Sequence, residues 1–335
     1  MKKIIIINRE GGIIRQPASP LSNTPVQGID LLPGVIGALR ELCRDTDYRL
    51  VLFTRRPYFP EDLIPRLFAG EGITFDTVWS EEEATKTWKD VYLNEIWDKS
   101  NSYFIGIIPK DQPLAEDLGI NGIWLNERDQ SWTNVVARLK RDSRKITRTR
   151  RTSETDITVS LDLNGTGEEN IDTGIAFFDH MLQQIARHGQ VDLTISARGD
   201  LQVDAHHTIE DTALLLGSCF RETLGSKKGI NRYGFALPMD ESRAEVLLDF
   251  GGRSWLEWKV RFSREQVGDF PTEMARHFFA SFCQNAGCNL HVTASGENDH
   301  HLLEAIFKAF GRSISTAIRQ TREGIIPSTK GTLNQ

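Results

Sequence analysis

The feature that most constrains this chain is a histidine pattern that occurs twice in its second half. In each copy a lone histidine, His180 or His277, precedes a predicted strand and then a His-His-x-x-Glu sequence that opens a predicted helix. None of the 8 histidines lies before position 180, so the first half cannot rely on histidine chemistry. The repetition predicts an internal duplication of about 90 residues, with repeats at about 151–240 and 241–335.

The paired histidines predict two metal sites rather than one. Neighbouring residues on a helix point about 100° apart, so one ion cannot easily take both imidazoles. The glutamate four residues after the first histidine lies on the same helix face. A single such motif is more often an ordinary helix surface, but two copies in register favour metal binding. The predicted ligands are His180, His206, His207, Glu210, His277, His300, His301 and Glu304, whose division between two ions stays open.

The donor types narrow the choice of ion. Three imidazoles and one carboxylate per site leave positions for water or substrate. This donor set suits Mn, Fe, Co or Zn, and open octahedral geometry favours the first three. His188 and His291 fall outside the register and are interpreted as ordinary polar residues.

The first half has a different pattern. Apolar runs such as KIIIIN and RLVLFT alternate with amphipathic stretches such as PGVIGALRELCRD. This alternation is typical of a parallel sheet covered on both faces, so residues 1–142 are predicted to form a Rossmann-like α/β domain. The basic run over 143–150 is predicted to be a linker. Residues 151–335 are predicted to be α+β, with hairpins at DITVSLDLNGTG and EVLLDFGGRSWLEWKVRF.

Composition limits the classes of partner. The net charge of −6 argues against a nucleic-acid binder. No apolar run approaches the roughly 20 residues of a membrane helix. The 4 cysteines form no Cys-x-x-Cys pair, which indicates reduced thiols and a cytoplasmic location.

Polar residues that suit a phosphate accompany the metal motifs. Arg, Lys and Ser side chains that converge on one spot bind phosphate through charge-assisted hydrogen bonds, although each taken singly is more often a solvated group. The set is Lys227, Lys228, Arg232, Arg253, Ser328 and Lys330.

From about residue 151 to 333 the chain resembles the imidazoleglycerol-phosphate dehydratase family. The resemblance rests on seven ordered stretches, among them TGIAFFDHMLQQIARHG, DAHHTIEDTALLLG, GENDHHLLEAIFKAFGRS and IPSTKG. It implies duplicated α+β half-domains, two Mn²⁺ ions per active site and a 24-subunit homo-oligomer with active sites between subunits. The substrate implied is a small phosphorylated imidazole.

The resemblance implies the same eight ligands and adds further roles. Glu154 in SETD matches the acid/base glutamate, and Glu154, Glu210 and Glu304 are the predicted catalytic carboxylates. Asp240 in PMDES matches another polar position of the active site. The positions that match substrate and phosphate contacts are Gln184, Arg232, Arg253, Ser328 and Lys330.

The implied reaction is the dehydration of imidazole glycerol phosphate to imidazole acetol phosphate in L-histidine biosynthesis. The proton to be lost sits on an unactivated carbon, so the imidazole ring must first lose its N–H. Two divalent cations would stabilise the resulting imidazolate. The ring can then expel the side-chain hydroxyl while a carboxylate such as Glu154 carries protons.

Residues 1–140 resemble the haloacid-dehalogenase-like histidinol-phosphatase domain that precedes the dehydratase in bifunctional enzymes. That family has Asp-x-Asp-Gly-Thr after its first strand, where this chain reads NREGG from Asn8. An aspartyl-phosphate intermediate needs a carboxylate nucleophile, which Asn8 does not supply. Glu10 keeps a carboxyl group, displaced by about a bond length. Thr54 remains in the second-motif position.

The metal positions of that resemblance are also altered. Ile107 stands where the family has an aspartate, and SEEEATK replaces its cysteine-rich zinc loop. We therefore expect the phosphatase to be inactive and its Mg²⁺ site to be lost. Two other hypotheses stay open: retained phosphatase activity with relocated ligands, and a non-catalytic scaffold or partner-binding module. Lys86 and Lys89 are candidates for a phosphate-binding lysine.

Overall fold

The chain divides into two compact units, Met1–Asp142 and Ser143–Gln335. The computed structural model describes residues 3–15, 30–44, 48–55, 67–80, 98–125, 131–142, 144–227, 229–234, 237–320 and 328. Within those residues, no helix is long and apolar enough to cross a membrane.

The first unit is built on a parallel sheet of five strands, as the alternating pattern predicts. The strand order is β3-β2-β1-β4-β5. The strands are β1 (Lys3–Asn8), β2 (Tyr48–Thr54), β3 (Thr77–Ser80), β4 (Tyr103–Gly106) and β5 (Asn121–Trp124), and the helices are α1 (Val35–Cys43), α2 (Gln112–Leu118) and α3 (Trp132–Asp142).

Both faces of this sheet are covered, because alternate side chains of β1 enter opposite cores. Ile5 and Ile7 pack with α1 and α3, whereas Ile4 and Ile6 pack on the side of α2. The strand order reverses at β1, which has β2 on one side and β4 on the other. In open α/β sheets, the carboxyl ends of the strands at such a reversal form the crevice that takes ligands.

The second unit contains two similar runs of elements, and the second run has additional short strands. The first half has β6 (Lys145–Arg151), β7 (Thr155–Asp162), β8 (Glu169–Asp172), α4 (Ala176–Gly189), β9 (Asp192–Gly199) and α5 (His206–Leu224). The second half has β10 (Tyr233–Gly234), β11 (Leu237–Met239), β12 (Ser242–Asp249), β13 (Trp255–Lys259), β14 (Gln266–Val267), β15 (Phe270–Pro271), α6 (Glu273–Ala286), β16 (Asn289–Ser295) and α7 (Asp299–Ala317). The sheet orders are β6-β7-β9-β8 and β10-β12-β16-β13, and β11 pairs with β12.

The basic segment predicted as a linker over 143–150 is instead largely strand β6. It pairs antiparallel with β7 along its whole length. Ile146 of this strand is buried, and two of its arginines pair with acidic residues of α5. Arg148 donates to Glu222 at 2.6 Å and Arg150 to Asp211 at 2.8 Å. This strand could not be predicted from local charge composition, because the acidic residues that pair with its arginines lie far away in the sequence.

The two predicted hairpins are also wrong. β8 does not pair with β7, and β13 does not pair with β12. Instead β8 runs parallel to β9, and β13 runs parallel to β16. Each of these strand pairs is joined through a helix, α4 or α6, so both are crossover units. The alternating pattern predicts the strands, but it does not choose their partners.

The helices pack crosswise between the repeats. α4 packs against α7, and α5 packs against α6. A glycine lies at each contact, at the twelfth position counted from the first histidine of each pair. An added Cβ would lie 2.6 Å from the carbonyl oxygen of Phe282 at Gly217, and 2.9 Å from that of Gln184 at Gly311. Glycine therefore sets how closely each helix pair approaches.

Candidate metal sites and the edge of the first sheet

A first cluster is formed by His180 on α4 with His300 and Glu304 on α7. His180 Nε2 lies 2.9 Å from Glu304 Oε1. The ring centroids of His180 and His300 are 6.2 Å apart. Potential ligand atoms of all three residues lie within 4.8 Å of one another. The lone histidine of one repeat thus meets the His-His-x-x-Glu sequence of the other.

A second and looser cluster is formed in the reciprocal way by His206 and Glu210 on α5 with His277 on α6, because potential ligand atoms of these three residues do not all lie within 4.8 Å of one another. His206 Nε2 lies 3.2 Å from Glu210 Oε2. The rings of His206 and His277 have centroids 5.1 Å apart. This cluster is the more open of the two, because the Glu210 side chain is 41% exposed and that of Glu304 is 10% exposed.

The second histidine of each pair faces a carboxylate outside its own cluster. His207 Nδ1 lies 3.1 Å from Asp200, and His301 Nδ1 lies 2.9 Å from Glu241. The hydrogen bond to Asp200 raises the pKa of His207, and the hydrogen bond to Glu241 raises the pKa of His301. These carboxylates orient the imidazoles, as acidic neighbours commonly do for metal-ligating histidines.

The donor atoms of the first cluster fit a divalent ion. Ligand atoms sit about 2.0–2.6 Å from such an ion, so donors separated by about 3–5 Å can close on one centre. Burial raises the pKa of Glu304, but hydrogen bonds with His180 and Lys308 outweigh it and leave this pKa lowered. The carboxylate is therefore held in the ionised form that a metal needs.

The predicted acid/base glutamate lies beside His207. Glu154 is exposed in the turn between β6 and β7, where its carbonyl accepts from the amide of Asp200 at 3.1 Å. Its charge contributes to the raised pKa of His207. Asp240 lies at the matching turn between β11 and β12, where it groups with Glu241 and His301. The second histidine of each pair, His207 or His301, thus lies next to a turn that carries an acidic residue.

Two further side chains adjoin the first cluster. Gln184 is buried one turn after His180, and its Nε2 donates to the His180 carbonyl at 3.3 Å. Lys308 Nζ lies 3.3 Å from Glu304 Oε2. The sequence reasoning missed Lys308, although its position four residues after Glu304 on one helix face was an available signal.

The predicted phosphate residues have different surroundings in the described part of the chain. Arg232 forms a two-pronged ion pair with Asp249, one contact being 2.8 Å. Arg253 is exposed after β12. Ser328 is described, whereas Lys228 and Lys330 lie outside the described residues. Lys227 is buried, which lowers its pKa.

In the first unit, the carboxyl ends of β1 and β4 meet around Asp111, whose side chain is fully buried. Asn8 Nδ2 donates to Asp111 at 2.8 Å, and the Ile107 amide donates at 2.7 Å. Arg55, which follows β2, donates to the other oxygen of Asp111 at 2.9 Å. A side-chain amide, a backbone N–H and a guanidinium therefore all donate hydrogen bonds to this carboxylate.

The adjacent carboxylate, that of Glu10, also accepts hydrogen bonds from several groups. Glu10 pairs with buried Arg9 and accepts from the Arg55 amide at 3.3 Å. The Thr54 hydroxyl lies 3.4 Å from Glu10. The structure thus brings together all four predicted phosphatase positions, but adds two arginines and Asp111, which sequence reasoning missed. Lys86, Lys89 and most of the region of the missing cysteine loop lie outside the described residues.

Sequence comparisons with known proteins agree on one family. The sequence profile described as Imidazoleglycerol-phosphate dehydratase matches residues 173–314. Histidine biosynthesis bifunctional protein HisB of Spirosoma linguale is 39% identical over 382 residues, which cover 99% of this chain and 100% of the relative. The same protein of Stenotrophomonas maltophilia is 40% identical over 361 residues, with coverage of 99% and 100%. The imidazoleglycerol-phosphate dehydratase structure from Staphylococcus aureus is 35% identical, with a TM-score of 0.49, over 53% of this chain and 99% of that chain.

Proposed function

The chain belongs to the family of histidine biosynthesis bifunctional proteins HisB, and we propose that its second unit works with two divalent ions, Mn²⁺ by expectation, bound at the two clusters. This unit is an imidazoleglycerol-phosphate dehydratase, which converts imidazole glycerol phosphate to imidazole acetol phosphate in L-histidine biosynthesis. We expect it to act in the cytoplasm, as enzymes that make amino acids from phosphorylated intermediates do.

The crosswise clusters carry the metal proposal. Each gathers two imidazoles and one carboxylate on two helices that belong to different repeats. Such a donor set suits borderline divalent ions of the Mn to Zn series. When bound, the two ions supply positive charge that stabilises the deprotonated ring of the substrate.

The chain's own residues carry the protons and orient the substrate. Glu154 is an exposed carboxylate next to His207, where it can accept the proton from carbon and return it to the product. Gln184, packed against the His180 backbone, presents an amide for the substrate at the first cluster. The substrate phosphate needs groups that fix its position, and we expect these to be the cations Arg232, Arg253 and Lys330 and the hydroxyl of Ser328, joined by Lys308.

The arrangement of ligands supports active sites shared between subunits. Three ligands of each cluster come from one chain, whereas His207 and His301 face away from their clusters toward acidic turns. We propose that these two histidines complete clusters of neighbouring subunits in a 24-subunit homo-oligomer.

For the first unit we propose a haloacid-dehalogenase-like fold without phosphatase activity or a Mg²⁺ site. Asn8 offers an amide where a nucleophilic carboxylate is needed. The two carboxylates at this edge are paired with Arg9 and Arg55, so the guanidinium groups supply the positive charge that a metal would bring. In this reading the unit serves as a scaffold or a partner-binding module.

Retained histidinol-phosphate phosphatase activity is the second candidate function, and the bifunctional name of the relatives favours it. In that case Glu10 is the remaining carboxylate next to Thr54 and would need to be released from Arg9. Metal-dependent phosphate release that Glu10→Gln abolishes would establish this candidate.

One experiment tests both units. Purified protein with added Mn²⁺ is assayed on imidazole glycerol phosphate and on histidinol phosphate. We expect dehydration of the first and no phosphate release from the second. His207→Ala should lose dehydration and part of its bound metal, whereas His291→Ala, an exposed histidine outside the clusters, should keep both. Normal turnover in the His207 variant would refute the two-metal proposal.

A further inference from the structure

The first turn of α4 is held by a carboxylate from the other repeat. The residue before the helix, Ile175, has no side chain that can bond the free amides of the first turn. Asp269 takes this role: it accepts from the Ala176 amide at 2.7 Å and from the Phe177 amide at 2.9 Å. A carboxylate at this end of a helix also interacts favourably with the helix dipole.

Asp269 is delivered by a small hairpin whose other side chains are anchored. β14 and β15 form the hairpin, with Gly268 at φ +60° in its turn. Val267 and Phe270 are buried, and the Phe270 ring stacks on Phe178 of α4 with centroids 5.8 Å apart. The hairpin is therefore fixed on the core, and its turn places an exposed carboxylate against the end of α4.

The helix turn that Asp269 holds carries Phe177, which contacts the first cluster, and leads to His180, which belongs to it. Phe177 meets the His300 ring edge-to-face, with centroids 5.1 Å apart and planes at 72°. His180 follows one turn later and reaches Glu304. A shift of this turn therefore moves one imidazole directly and removes the aromatic contact of the other.

The second cluster has a different environment. The residue three positions before His277 is Met274, which is buried in the core. Within the described part of the chain, the rings next to His206 are those of His207 and His277. Loss of the Asp269 contacts should thus disturb one cluster and spare the other.

We propose that Asp269 is a positioning residue for the first cluster, acting through Phe177 and His180 on the metal that the cluster binds. This inference rests on the proposed two-metal dehydratase. Asp269 is outside the ligand set, and its loss should weaken metal binding at the first cluster but not at the second.

The test is a titration of the full-length protein with Mn²⁺ alone, with free Mn²⁺ followed by electron paramagnetic resonance. In Asp269→Ala, one of two equivalents per chain should bind about tenfold more weakly, the lower end of the effect of losing an outer contact of a metal site. The other equivalent should keep its affinity. At saturating Mn²⁺ the kcat should return close to that of the wild type, because every ligand is still present.

Asp192→Ala is the matched control. This carboxylate accepts from the amides of residues 166, 167 and 168, in a loop that lies beside Arg187 near the opposite end of α4. It should lower thermal stability without a selective loss of one metal. If Asp269→Ala does not fold, Asp269→Asn, which keeps one acceptor, is measured in the same way.

The outcomes separate the two proposals. Two unchanged equivalents in the Asp269 variant, or an equal weakening of both, would overturn the positioning role. The same selective loss in the Asp192 variant would also overturn it. A wild-type protein that binds no Mn²⁺ would instead refute the proposed metal function itself.

Discussion

Replacing Arg55 with alanine tests whether its ion pair holds the edge of the first sheet. The Asp111 side chain is 0% exposed and that of Arg55 is 25% exposed. Removing one partner of a buried pair costs about 3–5 kcal/mol, since the other charge is left uncompensated. Two features reduce this cost: Asn8 and Ile107 still donate to Asp111 in the variant, and the Arg55 side chain is partly exposed in the intact protein. We therefore expect a loss of about 2–3 kcal/mol in the free energy of unfolding.

This loss is measurable by heating. About 1 kcal/mol shifts the Tm of a domain of 150–250 residues by roughly 2–4 °C, so the transition of the first unit should fall by about 4–12 °C. Calorimetry of the full-length protein gives the shift, and hydrogen exchange of β1 and β4 peptides assigns it to the first unit. The transition of the second unit should not move.

Arg40→Ala is the control, because Arg40 forms an exposed ion pair with Glu71 in the same unit. Exposed pairs contribute only about 0.2–1 kcal/mol. Adding Asp111→Asn to the Arg55 variant should recover part of the loss, since the uncompensated charge is then gone. Equal losses in the Arg55 and Arg40 variants, or no recovery in the double variant, would refute the reasoning.

Three further predictions concern the second unit. Arg253→Ala should raise KM about tenfold to a hundredfold with little change in kcat, because a hydrogen bond to a charged group contributes about 1.5–3 kcal/mol; steady-state kinetics checks this. Gly311→Ala should weaken Mn²⁺ binding at the first cluster and Gly217→Ala at the second, because an added Cβ forces apart the helix pair that carries each one; Mn²⁺ titration of the two variants decides. Burial and the charge of Lys308 lower the pKa of His188, so below about pH 6.5 the unfolded state binds more protons than the folded state and the free energy of unfolding should fall. Urea unfolding at pH 7.5 and 5.5, with a chelator present, should show a smaller fall in His188→Gln than in the wild type.

The sequence singled out the candidate ligands because their spacing follows directly from helix geometry, and their role as metal ligands stays a prediction. It could not divide them between two sites, since that depends on which helices pack together. The structure pairs the lone His180 with Glu304 of the other repeat, over a separation that no local pattern reveals. The glycines at equal positions in HHTIEDTALLLG and HHLLEAIFKAFG were the available sign of close helix contacts.

The first unit shows the opposite limit. The parallel sheet follows from buried apolar strands, and the expectation that the nucleophile is missing rests on one residue, Asn8, that can be read from the sequence. The ion pair of Arg55 with Asp111 could not be predicted from the sequence, because it requires knowing that the ends of β2 and β4 meet there. Likewise the basic segment that became β6 carries charges whose acidic partners are found only in three dimensions.

The crosswise helix pairing has a consequence for the history of the second unit. The first helix of each repeat packs with the second helix of the other, which is the reciprocal contact of a two-fold symmetric dimer. A chain with a single repeat builds neither cluster alone, whereas two such chains build both. An interface between two identical short chains would therefore build the same clusters. A gene duplication that fuses two such chains would make that interface permanent and leave each copy free to diverge, and the copies do differ at the matching positions Phe177 and Met274.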